Sequence, residues 1–248
     1  MDSGFREELY RRYVSSFKTF QIVRDERNAK ELQIAHQYRY LPHLMRLARE
    51  VSILELGCGP GYLLESLRNW GFENVEGIDI SEEQIKIAAS RNLRAHLSDA
   101  FEYLDSKKEQ YDVIIAVDFI EHFAKEELCT LIPKIYQALK HEGVLIIQTP
   151  NGQALFPGQV IYGDLTHMTI LSEDSLRQLL GLYEFREIHF YETGPIPYDL
   201  SGKIRLALWN LLRNTIRLVR QIEAKNCSKL WTENLICVCK KLAEAESR

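Results

Sequence analysis

The chain has 248 residues, 46% hydrophobic and 27% charged, enough apolar material to bury a full core as one large domain. Its net charge of -4 gives no general attraction to nucleic acid. No stretch reaches the roughly 20 uninterrupted apolar residues of a membrane span, and the polar start Met1–Glu8 lacks the apolar region of a secretory signal. The five cysteines (Cys58, Cys129, Cys227, Cys237, Cys239) show no metal-ligand spacing and read as buried, reduced thiols of a cytoplasmic protein; Cys237 and Cys239 share one face of a strand.

Residues 5–20 and about 24–49 carry mixed charge with recurring Leu, Ile and Tyr, which predicts helices. The β-branched run from Val51 stops at Glu55, and Gly57-Cys58-Gly59-Pro60-Gly61 follows, leading into a helix that runs to about Trp70. Residues 74–80 form a short strand ending in an acid, Asp79. Ser81, with Gln84 three residues later, predicts a capping box opening the next helix. A short strand near residues 94–97 leads to Asp99 and Ala100. Residues 111–117 and 143–148 are near-continuous apolar strands, as in a sheet covered on both faces, with a helix between them from about Lys125 to Leu139. Residues 149–170 read as a long Gly- and Pro-containing loop of the kind that carries function. A capped helix (172–180), an alternating strand (184–192), a break at Gly194-Pro195-Ile196-Pro197, a helix (202–224) and a last strand (230–240) complete the chain. The order of elements predicts a parallel sheet with helices on both sides and an antiparallel pair at one edge.

The glycine turn points to a nucleotide-like ligand approaching bare backbone. Its spacing is not the G-x-G-x-x-G of dinucleotide sites, since Tyr62 follows Gly61, and no Gly-Lys-Ser/Thr ending makes it a P-loop. The acid at Glu55 is a poor neighbour for a pyrophosphate and a good one for a cation.

Three motifs in order, Glu55-Leu56-Gly57-Cys58-Gly59-Pro60-Gly61, Asp79, and Asp118-Phe119-Ile120-Glu121-His122, resemble those of the class I S-adenosylmethionine-dependent methyltransferases. The resemblance covers roughly residues 35–192 and the final strand. It implies a Rossmann-like, doubly wound α/β fold: a seven-stranded sheet, last strand antiparallel, in a single domain. Residues 1–49 would form an N-terminal helical cap, 50–193 and 229–241 the core, and 194–228 a helical insertion. It also implies S-adenosylmethionine as methyl donor and S-adenosylhomocysteine as product. On that reading Glu55, Gly57, Cys58, Gly59, Gly61 and Tyr62 surround the amino acid tail, and Asp79 accepts the ribose hydroxyls. Ile80 lies on the adenine, Asp99 and Ala100 hold its amino group, and Val117, Asp118 and Phe119 close the site. Asp79 as part of a helix cap and Asp99 as an N-cap are the plainer alternatives.

An alcohol acceptor needs a base. His167, in the segment Gly163-Asp164-Leu165-Thr166-His167, is one candidate, with Asp164 orienting it; His122 is the other. No metal is expected, because Thr149-Pro150-Asn151 supplies no second acid after the fifth strand. The segment resembles bacterial methyltransferases of surface polysaccharides. The leading expectation is therefore O-methylation of a sugar, nucleotide-sugar or lipid-linked glycan in cell-envelope polysaccharide biosynthesis. The alternatives are a small aromatic or lipid-like acceptor of quinone-precursor type, with a pocket of Phe156, Tyr162 and Tyr191, or a cofactor-binding pseudo-enzyme. No Asn/Asp-Pro-Pro-Tyr/Phe segment marks a nucleic-acid base acceptor. Lys203, Arg205, Arg213, Arg217 and Arg220 fall on one half of the helix over 202–224, with apolar residues on the other. The readings are contact with the inner face of the membrane, a basic lid over a phosphorylated acceptor, or an ordinary helix packed on the domain with solvated arginines.

Overall fold

The computed structural model describes residues 29–224 and 229–242. The helix expected over 5–20, the start of the one expected from 24, and Cys227 lie outside the described residues. The first described helices are α1 (Ala29–Arg39) and α2 (Leu41–Leu44), the second opening at Pro42, which has no amide to continue the first. Then come β1 (Ser52–Leu56), α3 (Tyr62–Asn69), β2 (Asn74–Asp79), α4 (Glu82–Ser90), β3 (Ala95–Leu97), α5 (Ala100–Asp105) and β4 (Tyr111–Val117). The remainder is a 3-10 turn (Ile120–His122), α6 (Lys125–Ala138), β5 (Leu139–Pro150), α7 (Gly158–Tyr162), α8 (Glu173–Leu182), β6 (Arg186–Glu192), α9 (Leu200–Glu223) and β7 (Asn234–Lys240).

The strands form one seven-stranded sheet in the order β3-β2-β1-β4-β5-β7-β6. β1 to β5 pair in parallel, and β7 runs antiparallel to both β5 and β6. This is the α/β architecture the resemblance implies, with its reversed last strand. The order reverses between β1 and β4, so the carboxyl ends of those strands open a crevice there.

The period-two alternation of the central strands sorts the core into two layers. Leu54 and Leu56 of β1 with Ile114 and Ala116 of β4 meet α6 and α8 on one face. Ile53, Val113 and Ile115 meet Tyr40, Leu44 and the α3 side chains Leu63, Leu64 and Leu67 on the other. Each such fully buried aliphatic side chain contributes about 1.5–3 kcal/mol. Cys237 and Cys239 both point into the first layer, whereas Cys129 is exposed, contrary to the expectation of uniformly buried thiols.

Three local expectations are corrected. Ser81 stands at the N-cap of α4, but its side chain makes no cap hydrogen bond, and the amide that Gln84 would have bonded in a capping box is held instead by Asp79 Oδ1 (2.8 Å). Residues 149–170 are not all loop: β5 runs to Pro150 and α7 forms a short helix. The third correction concerns α9. It does not pack its apolar side on the domain. Gly202 is buried and Trp209 and Arg213 are half-buried at the sheet edge, while Leu208, Leu211 and Leu218 are exposed.

The N-terminal helices are joined to the core by a buried polar contact, His36 Nδ1 to Ser66 Oγ of α3 at 2.8 Å. Burial, and then the Arg39 charge, hold the His36 imidazole down at about 4. Between about pH 6.5 and pH 4 the unfolded chain therefore binds a proton that the folded chain refuses. Stability rises with pH through that window and falls by about 3 kcal/mol on going down it. Urea unfolding across pH 4–7 is expected to show this slope, and His36→Gln to remove that part of it; equal slopes for the two proteins would refute the assignment.

Candidate functional site at the carboxyl edge of the sheet

The glycine turn leaves β1 with Gly57, Gly59 and Gly61 at φ of 67°, 53° and 82°, left-handed values that L side chains rarely adopt. Gly57 also has no room for a side chain, since a Cβ there would lie 2.6 Å from the Phe119 ring. Gly61 lets α3 start close to Leu93, 2.4 Å from a Cβ position. The amides of Cys58, Gly59 and Gly61 are held by the Ile78 carbonyl, Asp79 Oδ2 and the Cys58 carbonyl, so the turn is a fixed surface free of side chains at Gly57, between β1 and Phe119. Cys58 is buried in the second core layer, and Tyr62 lies under the Arg91 guanidinium at 4.4 Å.

Two acids close the base of the turn. Asp79, at the end of β2, accepts from Gly59 N–H through Oδ2 (2.9 Å) and from Ser81 N–H through Oδ1. Desolvation raises its pKa, and the Ser81, Gly59 and Ile80 amides pull it back. Glu55, on the second-layer face of β1, is buried, and its Oε2 has no hydrogen-bond partner. Desolvation first, and the Asp79 charge second, push it well above the usual carboxylate range. A buried acid in that condition favours an approaching cation, which would return it to the charged form. Ser81 Oγ is likewise buried without a partner. Ile80, by contrast, is half exposed beside Asp79, an apolar surface of the kind a flat ring covers. Asp99 caps α5, its Oδ1 accepting from Phe101 N–H (2.7 Å) and Glu102 N–H (3.3 Å), and Ala100 is buried behind it. The orphan Glu55 oxygen, the orphan Ser81 hydroxyl and the bare glycine turn fit the ammonium, the hydroxyls and the carboxylate of an adenosyl amino acid.

Two residues of this site had no motif to announce them. Tyr40, buried at the start of α2, donates to Gln148 Oε1 (2.8 Å), and Gln148 Nε2 donates to Asp118 Oδ1 (3.0 Å). Asp118 itself sits at φ 48° just past Val117, so this relay holds a left-handed residue at the crevice. Their only signal in the sequence is Gln148, a polar residue closing the apolar run of β5.

The acceptor side is built on the turn after β4 and the loop after α7. His122 Nδ1 lies 2.9 Å from Thr166 Oγ1, and Thr166 Oγ1 donates to Asp164 Oδ1 (2.6 Å), which also accepts Thr166 N–H (2.9 Å). With the hydroxyl hydrogen given to Asp164, Thr166 accepts from Nδ1–H, so the His122 lone pair is on Nε2. His167 Nδ1 faces the Ile161 carbonyl at 3.2 Å, leaving its Nε2 free to act as well. The two rings are 5.1 Å apart. Asp164, expected to orient His167, thus orients His122 through Thr166, and its tie to His167 is a main-chain bond of 3.3 Å. Glu121 lies buried beneath, its Oε2 accepting from Thr149 Oγ1 (3.1 Å). Glu121, His122 and His167 place their donor atoms within 4.8 Å of one another, a set with the spacing of a divalent-metal site. The set does not depend on a second acid after the fifth strand, because its third donor, His167, arrives from a distant loop. Phe156 before α7, Tyr162 at its end and Leu165 after it are exposed. Tyr191 stands apart from them in β6, against His43 at 4.6 Å.

A family model described as a methyltransferase domain matches residues 24–189. Among curated proteins, the ubiquinone biosynthesis O-methyltransferase of Rickettsia conorii is 29% identical over 155 residues, 59% of this chain and 51% of that protein. The mitochondrial ubiquinone biosynthesis O-methyltransferase of Mus musculus is 34% identical over 110 residues, 41% of this chain and 29% of that protein. The chain spans about half or less of the length of such relatives. A SAM dependent methyltransferase from Archaeoglobus fulgidus shares the fold with a TM-score of 0.66 at 24% identity, covering 90% of this chain and 99% of that one.

Loss of the Asp79 carboxylate removes a charged acceptor for the ribose hydroxyls and loosens the turn it holds, an effect on binding of about 3 kcal/mol. Calorimetry is expected to show S-adenosylmethionine binding weakened by about a hundredfold in Asp79→Ala; unchanged affinity would remove Asp79 from the site.

Proposed function

We propose that this chain, which belongs to the methyltransferase domain family and has the fold and cofactor crevice of its S-adenosylmethionine-dependent members, methylates a hydroxyl of an aromatic, lipid-like acceptor. The observation that carries the acceptor class is the exposed apolar set Phe156, Tyr162 and Leu165, on the same stretch between β5 and α8 that bears His167. The likeness to ubiquinone biosynthesis O-methyltransferases supports the same choice. A sugar or glycan hydroxyl has less behind it: in the segment that suggested it, Asp164 is turned to Thr166, Thr166 is buried, and the most exposed side chain is Leu165.

The cofactor, when bound, supplies an electrophilic methyl group on a cationic sulfonium. The residues of the chain do the rest. Glu55 and the glycine turn from Gly57 to Gly61 hold the amino acid tail, Asp79 the ribose, and Ile80 the adenine. Phe119, which packs edge-on to Phe123 at 4.9 Å, keeps water from the crevice. His122 Nε2 takes the acceptor proton. Asp164, acting through Thr166, holds the ring in that tautomer and stabilises the imidazolium that forms. His167, its ring 5.1 Å from that of His122, lines the acceptor side beside the base.

On this reading His122→Ala and His167→Ala keep cofactor affinity and lose turnover, by about 10²–10⁴ for the base. Turnover near wild type in His122→Ala would dismiss it as the base. An acceptor screen with radiolabelled cofactor decides the class: catechols and polyprenyl phenols are expected to be labelled, and label only in nucleotide sugars or lipid-linked glycans would restore the glycan reading.

The spacing of Glu121, His122 and His167 favours a second reading of the same centre, in which a divalent cation held by the three groups lowers the pKa of the acceptor hydroxyl. Chelation separates the two. Turnover unchanged after EDTA supports the histidine base; turnover lost, and restored by added Mg²⁺, Mn²⁺ or Zn²⁺, supports the cation.

A further inference from the structure

The outward face of α9 has no occupant among the described residues, and its chemistry selects one. Leu200, Ile204, Leu208, Leu211, Leu218 and Ile222 are all exposed, from 53% to 83%. At about 100° per residue they form a single stripe roughly 80° wide along a helix about 36 Å long. The opposite side is fixed to the domain. Arg213 Nη1 donates to Glu192 Oε2 (2.6 Å), and Trp209 Nε1 donates to the same oxygen (3.4 Å). The apolar stripe is therefore held away from the core by polar contacts made on the other face.

Lys203 and Arg205 are exposed at roughly a right angle to either side of the stripe, with exposed Arg217 and Arg220 farther round, and Glu223 is the one acid in the helix. Five cations in one helix contrast with a chain whose net charge is -4. Apolar residues in the middle and long basic side chains at the margins are the arrangement of a helix lying in a bilayer interface, where the cations meet lipid phosphates. No helix among the described residues is long and apolar enough to cross a membrane, so α9 would lie on the surface rather than span it.

The helix is also coupled to the acceptor loop. Glu192, which anchors Arg213, accepts Trp231 N–H through Oε1 (2.9 Å), and the Trp231 carbonyl accepts Leu155 N–H (3.2 Å) at the start of the loop bearing Phe156. Both segments leave the same edge of the sheet, where β5 ends and β6 ends.

We propose that the apolar stripe of α9 docks this protein on an anionic lipid bilayer. The docking surface stands on α9 alone and does not depend on which acceptor is methylated. Flotation of the full chain with vesicles tests it. Binding is expected to phosphatidylcholine vesicles containing 30% phosphatidylglycerol, at least tenfold stronger than to phosphatidylcholine alone, and weakened by salt. Leu208→Ser/Leu211→Ser/Leu218→Ser and, separately, Lys203→Glu/Arg205→Glu/Arg217→Glu should each lower it at least tenfold while leaving S-adenosylmethionine affinity unchanged, which reports that the fold is intact. A wild-type chain that stays with the pellet, or variants that float as well as wild type, overturns the proposal. So does a stable wild-type dimer in sedimentation that the Leu→Ser variant dissociates without any lipid binding, since the stripe would then be covered by a second copy of the chain.

Discussion

The site depends on one carboxylate. Asp79 ends β2 and reaches across to Gly59 N–H, while its other oxygen holds Ser81 N–H. This pair of bonds joins the end of one strand to the turn after its neighbour and to the start of α4. It keeps the left-handed glycine turn in place without a side chain from the turn itself. The cost is a charge brought out of water, offset by amide donors, and that charge in turn helps burial keep Glu55 from ionising. Two acids crowded in a buried crevice are stable together only when one is neutral or a cation joins them, and this ties the architecture to a cationic ligand.

Around that centre the fold supplies position. The reversal of strand order between β1 and β4 opens the crevice, and Phe119 against Gly57 narrows it. The Tyr40–Gln148–Asp118 relay runs from the N-terminal helices to the end of β4. The helices before the sheet are therefore part of the wall of the cofactor crevice. Tyr40 is buried enough that its hydroxyl stays protonated, its pKa raised by desolvation and then by Asp118, which makes it a fixed donor to Gln148.

The acceptor side follows a different logic. The turn after β4 presents His122, and the loop after α7 brings Asp164, Thr166 and His167 to it. Main-chain bonds from Met168 and Thr169 to the Glu121 carbonyl, 2.8 and 3.0 Å, fasten the two segments. The same buried loop ends therefore set the tautomer of one histidine, the placement of the other and the depth of Glu121. Outside them the loop is apolar and exposed, as is α9 on the same edge of the sheet.

The sheet, its reversed last strand and the cofactor side of the site were legible in the sequence, because they rest on local rules. Apolar runs of strand length, glycines where φ must be positive, and acids at strand ends are properties of neighbouring residues. The Asp99 cap is local in the same way. Ser81 shows the limit: the pattern of a capping box was present, but Asp79 from two residues earlier took the amide that Gln84 would have bonded, and the serine hydroxyl makes no cap bond. Tyr40, Gln148, the Asp164–Thr166–His122 relay and the meeting of Glu121 with His167 were decided only by tertiary structure. Their partners lie 30 to 108 residues apart, or on loops whose course follows from packing. The orientation of α9 belongs with them. Its two faces could be read from the sequence, but which face met the domain depended on where Glu192 stood to receive Arg213 and Trp209.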